Sequence, residues 1–445
     1  MVGEKKTFCL AIEDLTQEGE GVGRLDGKTV FVPGALPQEE VEVEVTLRRP
    51  RFDVAHIVRL IKRNPARVEP FCPHFGECGG CVLMHAALPL QAALKSRILE
   101  DTLLHLGRIS PEIVLPPIAG PAWGYRHRAR LSVRWIRKKE QAAVGFRDRS
   151  GRKVVLAQRC PVLASSGSLL QPLSALVAEL SVREALPQIE VVAAENALVL
   201  NARILSALTA GDEALLRRFA DTHGVYWWLQ PKGPETAFAF YPPSPPLFYT
   251  LPEFGVEIFF SPLHFTQVNF AVNRILARRA VSLLEPQKGE RIADLFCGIG
   301  NFSLPLARAR ARVLGVEGEK SAVEQARKNA VANGLLGQAE FLCEDLAFPS
   351  SDLLARVARM DKILLDPPRT GAKSLLEQAE LRASRLVYVS CNPATLARDA
   401  AILAEKGYFL KAIQGVNLFP HTAHLEALAL FLPQKKAFSP SLFLR

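Results

Sequence analysis

Ala293-Asp294-Leu295-Phe296-Cys297-Gly298-Ile299-Gly300-Asn301 is an apolar strand that runs into a glycine-rich turn, and its reading decides the fold of the C-terminal half. Helices and buried strands alternate around it: helix Val268 to Leu284, strand Arg291 to Phe296, helix Phe302 to Ala309, strand Arg312 to Val316, helix Lys320 to Asn333. Strands at Glu340 to Cys343, Lys362 to Leu365 and Leu386 to Ser390 continue the pattern, followed by a helix over Ala394 to Lys406. Such alternation predicts an α/β domain with a doubly wound parallel sheet, whose ligands bind at the carboxyl ends of the strands. Glycines let the backbone approach a ligand, and Glu317, closing the next strand, is placed to accept from ribose hydroxyls. An adenosine-containing cofactor is therefore expected. A dinucleotide site would want a third glycine at position 303 to bring the helix to a pyrophosphate, and the chain has Ser303 there. S-adenosylmethionine carries no phosphate and suits Asp294 before the turn and Asn301 after it, with Asp345 at a third strand end.

The N-terminal half reads differently. Phe8 to Glu13, Gly19 to Gly23, Thr29 to Val32 and the alternating Val41 to Val45 are short strands with turn signals, a small all-β barrel in outline. A basic run at Arg48, Arg49 and Arg51 follows, and Pro65 and Pro70 mark a linker. After a cysteine-rich loop, Leu88 to Leu106 has the period of a helix, and Trp123 to Leu263 is mostly strand-like. Three domains are expected, at residues 1–62, 63–264 and 265–445.

With 49% hydrophobic and 22% charged residues the chain is globular, and no apolar run reaches the ~18 residues that span a bilayer. No membrane partner and a cytoplasmic location are expected, as is a monomer. Eight cysteines in a reducing compartment read as metal ligands or catalysts rather than disulfides. A net charge of +10 gives a field that attracts polyanions, nucleic acid foremost.

Leu386 to Ser390 ends on Cys391, just before a helix start whose dipole favours a thiolate. Asp366-Pro367-Pro368-Arg369 closes the preceding strand, and His421-Thr422-Ala423-His424-Leu425-Glu426 lies near the C-terminus. A thiol and a carboxylate together suit methylation at C5 of uracil, a carbon too weakly nucleophilic to take a methyl cation unaided. A thiolate adding at C6 makes C5 enolate-like, and a base must then remove the C5 proton before the thiol is eliminated. Cys391 and Glu426 fit those two roles.

Ser390-Cys391-Asn392-Pro393, Asp366-Pro367-Pro368-Arg369, Asp294 to Gly298 with Asn301-Phe302, Phe265-Thr266-Gln267-Val268-Asn269 and Phe419-Pro420-His421-Thr422-x-His424-x-Glu426 together resemble the RNA uracil-5 methyltransferases. The resemblance covers essentially the whole chain. It implies a Rossmann-like class I methyltransferase domain, Cys391 as nucleophile and Glu426 as base. It also implies contacts to S-adenosylmethionine from Gln267, Phe296, Asn301, Glu317, Asp345 and Asp366. A TRAM (OB-like) barrel with a cluster further resembles the branch of the family that acts on 23S ribosomal RNA, with a second 23S site or a transfer RNA as alternatives. One departure stands out: Asn417 occupies a position that is commonly acidic two residues before the Phe-Pro of the last motif.

Cys72-x5-Cys78-x2-Cys81 with a distant Cys160-Pro161 suits a [4Fe-4S] cubane, in which one thiolate ligates each iron. Zinc is the rival, since four cysteines also close a tetrahedral site, although structural zinc more often uses two short-spaced pairs. The family pattern favours iron and sulfur, so the central β-rich domain is expected to carry the cluster. For RNA, Arg126, Arg128, Arg130 and Arg134 alternate with apolar residues and form a candidate basic strand face, with Tyr125 or His127 as base-stacking residues. The target base must leave its stack to meet Cys391, which implies an unpaired or partly unfolded segment of RNA. Three rival readings remain: an amino-group methyltransferase, which would place an aromatic residue at 369; a cytosine-C5 enzyme, whose cysteine follows a proline; and an iron-sulfur RNA-binding protein without activity.

Overall fold

The computed structural model describes residues 6–433; residues 1–5 and 434–445, the ends of the first and third expected domains, lie outside the described residues. Two compact units make up the chain, and both are discontinuous in sequence. The first comprises residues 1–98, 146–155 and 419–424, and the second residues 99–145, 156–418 and 425–445.

The first unit begins with β1 (Thr7–Leu15), β2 (Glu20–Leu25), β3 (Lys28–Pro33), β4 (Glu40–Arg48) and β5 (Phe52–Lys62), closed as a barrel in the order β1-β2-β3-β5-β4. Closure follows from the period-two pattern: Val41 and Val43 point inward while Glu40 and Glu42 do not, and Leu10, Ile12, Val30 and Val32 fill the same interior. Fully buried Glu39 binds Arg67 through both carboxylate oxygens, at 2.6 and 2.7 Å, and also accepts from the N–H groups of Leu36 and Asn64. This ion pair is satisfied on every side and ties the barrel to the segment that enters the cysteine-rich loop. A second small core of Leu15, Leu36, Leu83, Ala86 and Leu94 joins the barrel to the exit from that loop and to the helix Leu88–Thr102.

In the second unit β6 (Ile113–Ile118) comes first. A six-stranded sheet follows, in the order β12-β11-β10-β9-β7-β8, made of β7 (Arg128–Ile136), β8 (Gln141–Gly145), β9 (Gln188–Ala193), β10 (Leu198–Arg203), β11 (Tyr226–Gln230) and β12 (Phe238–Tyr241). The helices Leu170–Glu179 and Ala210–His223 interrupt a region expected to be mostly strand. A hairpin, β13 (Leu247–Leu251) with β14 (Val256–Phe260), leads into the alternating half.

There, β15 (Arg291–Leu295), β16 (Arg312–Glu317), β17 (Ala339–Cys343), β18 (Lys362–Leu365), β19 (Arg385–Ser390), β20 (Tyr408–Val416) and β21 (Glu426–Pro433) build an eight-stranded sheet with β6, ordered β17-β16-β15-β18-β19-β21-β20-β6. The strands and helices read from periodicity are present to within a few residues. The sheet is not wholly parallel, however. β21 runs antiparallel to both β19 and β20. The short connection between β20 and β21 has no room for the crossover helix that parallel strands require. β6, from a segment assigned to the central region, is the far edge strand and pairs parallel with β20.

The basic strand face is only partly as expected. Ala129, Leu131 and Val133 point inward from β7, and Arg130 and Arg134 outward. Arg128, by contrast, donates to Glu190 at 3.0 Å and to the carbonyls of Pro262 and His264, so it is a strut of the fold. Tyr125 is buried, and His127 stacks on Phe270 with ring centroids 4.0 Å apart. The core thus takes the Tyr125 ring, and Phe270 takes one face of the partly buried His127.

Candidate active site

The cofactor turn forms where β15 ends. Phe296 adopts the left-handed conformation (φ 66°), followed by Gly298 and Gly300 at positive φ. A bulky residue in that region stores about 1–2 kcal/mol of strain, which the surroundings must hold. They do so from β16: the N–H groups of Phe296 and Cys297 both donate to the Val316 carbonyl, and the Gly298 N–H donates to Glu317 Oε2 at 3.1 Å. Ser303, standing where a dinucleotide site would have glycine, donates from its hydroxyl to Asp294 Oδ2. Burial pushes the Asp294 carboxyl up to about 7, against the Ser303 hydrogen bonds. Its other oxygen, Oδ1, is buried with no partner among the described residues, as fits a group that awaits a ligand.

Asn301 is held rather than free. Its side-chain oxygen accepts from Tyr249 Oη and Asn273 Nδ2, both at 2.9 Å, and its Nδ2 donates back to Asn273 at 3.0 Å. Buried Gln267 precedes Asn269, which caps the helix Phe270–Leu284 by accepting from the Val272 N–H and donates to the Leu418 carbonyl. Asp345 lies exposed just beyond β17, where its carboxylate accepts from the Ala347 N–H at 2.9 Å. Neither Asn273 nor Tyr249 was marked by any motif; buried polar side chains reveal themselves only through their partners.

The thiol and the two carboxylates come together through register. β19 and β21 pair Ser390 with Ala427, so the next residues outward are Cys391 and Glu426. β18 pairs Leu365 with Tyr388 on the other side and ends one residue before Asp366. The groups act on one another electrostatically. Burial, then the Glu426 and Asp366 carboxylates, push the half-buried Cys391 thiol up to about 11, while Arg369 works the other way. Burial raises Glu426 to about 7, again opposed by Arg369, and raises Asp366 well above the carboxylate range, with Glu426 adding to it. Cys391 sits ahead of the helix cap, Asn392, where desolvation and two carboxylates work against the thiolate that the dipole favours.

The loop carrying Arg369 is clamped onto the helix Pro393–Glu405. Buried Asp399 accepts from the Tyr388 hydroxyl and the Ala372 N–H, both at 2.6 Å, and from Arg398, which itself donates to the Thr370 carbonyl. Gly371 (φ +76°) threads this clamp: a Cβ there would lie 2.4 Å from the Arg398 guanidinium. Asn392 adds a bond to the Arg369 carbonyl at 3.2 Å.

A family model described as tRNA (Uracil-5-)-methyltransferase matches residues 259–435, and a TRAM domain model matches residues 3–58. The 23S rRNA (uracil(1939)-C(5))-methyltransferase RlmD of Dechloromonas aromatica is 51% identical over 94% of this chain and 98% of its own length. The chain belongs to the RNA uracil-C5 methyltransferase family. The RlmD of Nitrosospira multiformis is similar at 50% identity, over 96% of this chain and 98% of its own length. Among solved structures, the Pyrococcus abyssi tRNA (uracil-54, C5)-methyltransferase in complex with S-adenosyl-L-homocysteine superposes with a TM-score of 0.73 at 24% identity, covering 96% of this chain and all of that one. At that identity the likeness speaks for the fold. The methyltransferase fold with an N-terminal TRAM barrel is therefore that of this uracil-C5 methyltransferase family member.

The metal candidates are divided. The first unit holds Cys72, Cys78 and Cys81, and the second holds Cys160. In the first, the Phe75 N–H donates to the Cys72 carbonyl, the Cys78 N–H to the His74 carbonyl, and the Gly80 N–H points to Cys78 Sγ at 3.4 Å. Burial pushes the Cys78 thiol up, and the Cys72 sulfur adds to it. Residues 146–155 close over the loop: the Gly79 N–H donates to the Arg147 carbonyl and the Arg149 N–H to the Glu77 carbonyl. Among the described residues no three His, Cys, Asp or Glu side chains gather around a single ion. No helix among them is long and apolar enough to cross a membrane.

Proposed function

We propose that this chain transfers the methyl group of S-adenosylmethionine to C5 of a uridine in 23S ribosomal RNA, the position its relatives' names number 1939, through a covalent bond between Cys391 and C6. The observation that carries the reading is the register that sets Cys391 beside Glu426, with Asp366 and Arg369 in the same field. The Cys391 thiolate adds to C6 and drives the electron pair toward C5 and O4. C5 then takes the sulfonium methyl, leaving S-adenosylhomocysteine. Glu426 removes the C5 proton as the C6–S bond breaks, which restores the C5=C6 double bond and the thiolate. Arg369 is the cation that favours the thiolate against two neighbouring carboxylates.

Gln267, Phe296, Asn301, Glu317, Asp345 and Asp366 would hold the methyl donor, and the partnerless Asp294 Oδ1 in the same turn supports a ligand there. An unpaired or partly unfolded RNA segment is the substrate form, since a stacked base keeps C6 from a half-buried thiol.

Cys72, Cys78, Cys81 and Cys160 would hold a [4Fe-4S] cluster. The Gly80 N–H directed at Cys78 Sγ suits a charged sulfur ligand. Bound there, such a cluster would supply structure rather than chemistry, with Cys72, Cys78 and Cys81 anchoring a loop that has little regular hydrogen bonding of its own.

The test is incubation of the full chain, purified without oxygen, with labelled S-adenosylmethionine and 23S RNA lacking the modification, with 5-fluorouracil-substituted RNA in parallel. A denaturation-resistant adduct that disappears in Cys391→Ala, with label in one mapped uridine, is the expected outcome. Methyl transfer without any adduct would remove the Cys391 role and return the amino-group reading.

A further inference from the structure

We infer that Asn273 and Tyr249 are positioning residues for Asn301: they hold its side-chain amide so that a single N–H is left to donate, and that donor receives the carboxylate at the methionine end of the methyl donor. The inference rests on the proposed contact between Asn301 and S-adenosylmethionine. It comes from the bonds that the β13–β14 hairpin and the helix Phe270–Leu284, both in the second unit with the cofactor turn, make to this one amide.

Tyr249 lies on β13, where buried and half-buried residues alternate and turn its ring inward, and the ring stacks on Phe270 with centroids 5.0 Å apart. Phe270 opens the helix that carries Asn273, fully buried, near its start. Burial pushes the Tyr249 phenol far up, so its hydroxyl keeps its proton and donates. An amide oxygen has two lone pairs and an amide nitrogen two hydrogens. In Asn301 the oxygen is filled by Tyr249 Oη and Asn273 Nδ2, and one hydrogen goes to Asn273 Oδ1. One N–H remains. The reciprocal bonds between the two asparagines would survive if both amides turned over together. The hydroxyl opposes this, because a nitrogen would then face it and its buried proton would lose the one acceptor it has among the described residues.

The backbone of the turn is fixed separately. Asn329, fully buried, donates from Nδ2 to the carbonyls of Ile299 and Phe259 and accepts from the Phe259 N–H, each at 3.0 Å. It thus ties β14, the other strand of the hairpin, to the turn two residues before Asn301. Releasing the Asn301 side chain therefore leaves the turn where it is. What the remaining N–H meets follows from the chemistry of the other proposed contacts. Glu317 and Asp345 are acceptors, suited to the hydroxyl and amino hydrogens of the adenosine end. Asp366 shares a field with Glu426 and Cys391, which sets it at the end where the methyl leaves. An ionised carboxylate asks for donors instead, and Asn301, half-buried with its oxygen filled, offers only a donor.

The experiment is titration calorimetry of the full chain with S-adenosyl-L-homocysteine and with its decarboxylated form, in which hydrogen replaces the carboxylate. Wild type should favour the carboxylated ligand by roughly tenfold or more. Asn273→Leu, which removes both amide bonds, should weaken S-adenosyl-L-homocysteine by about tenfold, and Tyr249→Phe by about threefold, since each leaves the Asn301 side chain to be ordered by the ligand. Both variants should bind the decarboxylated form within about twofold of wild type, because Asn329 still holds the turn. Asn301→Asp, which puts an acceptor where that donor stood, should reverse the preference. Equal weakening toward both ligands would mark a merely structural role and overturn the inference, as would unchanged affinities. Should Asn273→Leu not fold, Tyr249→Phe decides by the same criteria. Two separate failures lie beneath it: a wild type that binds both ligands alike would remove Asn301 from the carboxylate, and one that binds neither would remove the reading of the cofactor. The inference falls with either.

Discussion

Cys391 and the cysteines of the 72–81 loop are the same chemical group in opposite settings. Cys391 stands at a strand end whose position is set by sheet register on two sides and by the Asp399 clamp above it. Cys72, Cys78 and Cys81 stand on a loop held by a few turn hydrogen bonds and by residues 146–155. In the roles proposed for them, the nucleophilic thiol is pre-organised by regular structure, whereas the ligating thiols would leave part of their ordering to the group they bind.

The sharpest break between the two is expected from single substitutions. Cys391→Ala should abolish 5-methyluridine formation, on the order of 10^4-fold or more, with S-adenosylhomocysteine affinity and thermal unfolding unchanged. Labelled methyl incorporation and calorimetry check both halves. Cys78→Ser should do the reverse. Iron and acid-labile sulfide should be lost and the first unfolding transition lowered by about 5 °C or more, while S-adenosylhomocysteine binds as before. If Cys78→Ser were to change cofactor affinity as strongly as stability, the contrast would fail.

A smaller effect should blur the two classes. Asp399→Ala strips a fully buried carboxylate from the Tyr388 hydroxyl, the Ala372 N–H and Arg398, and should cost about 3 kcal/mol in denaturant unfolding. Because the same clamp holds the loop of Arg369, adduct formation should also slow by roughly tenfold in a gel assay with 5-fluorouracil RNA.

The smallest effect is on pH. Burial holds the Asp294 and Glu426 carboxyls at about 7, above their ordinary values of 3.8 and 4.5. A group whose folded value is raised contributes stability that is full below its unfolded value and is lost as pH rises through the folded one. Without ligand, the melting temperature should therefore fall by about 2 °C or more between pH 5.5 and 8, and Asp294→Asn should flatten part of that slope. Release of the methylated adduct should rise over the same interval, since Glu426 accepts a proton only when ionised. Opposite slopes in the two measurements are the signature; parallel slopes would separate Glu426 from the base role.

Read alone, the sequence determined the parallel core of the sheet, the glycine turn at Gly298 and Gly300, the barrel, and the candidates Cys391 and Glu426. Those features are local: period-two and period-3.6 patterns, glycines at positive φ, and short motifs carry them within a few residues. Tertiary structure alone decided the antiparallel placement of β21, which brings Glu426 to Cys391, and the recruitment of β6 to the far edge of the sheet. It also decided that Arg128, His127 and Tyr125 belong to the fold rather than to a basic face, and that Asn273, Tyr249, Ser303 and Asp399 support the site. The physical reason is that a buried polar group is defined by its partner, and Asn301 finds Asn273 and Tyr249 only after the chain has folded. No periodicity records a hydrogen bond made across that distance in sequence.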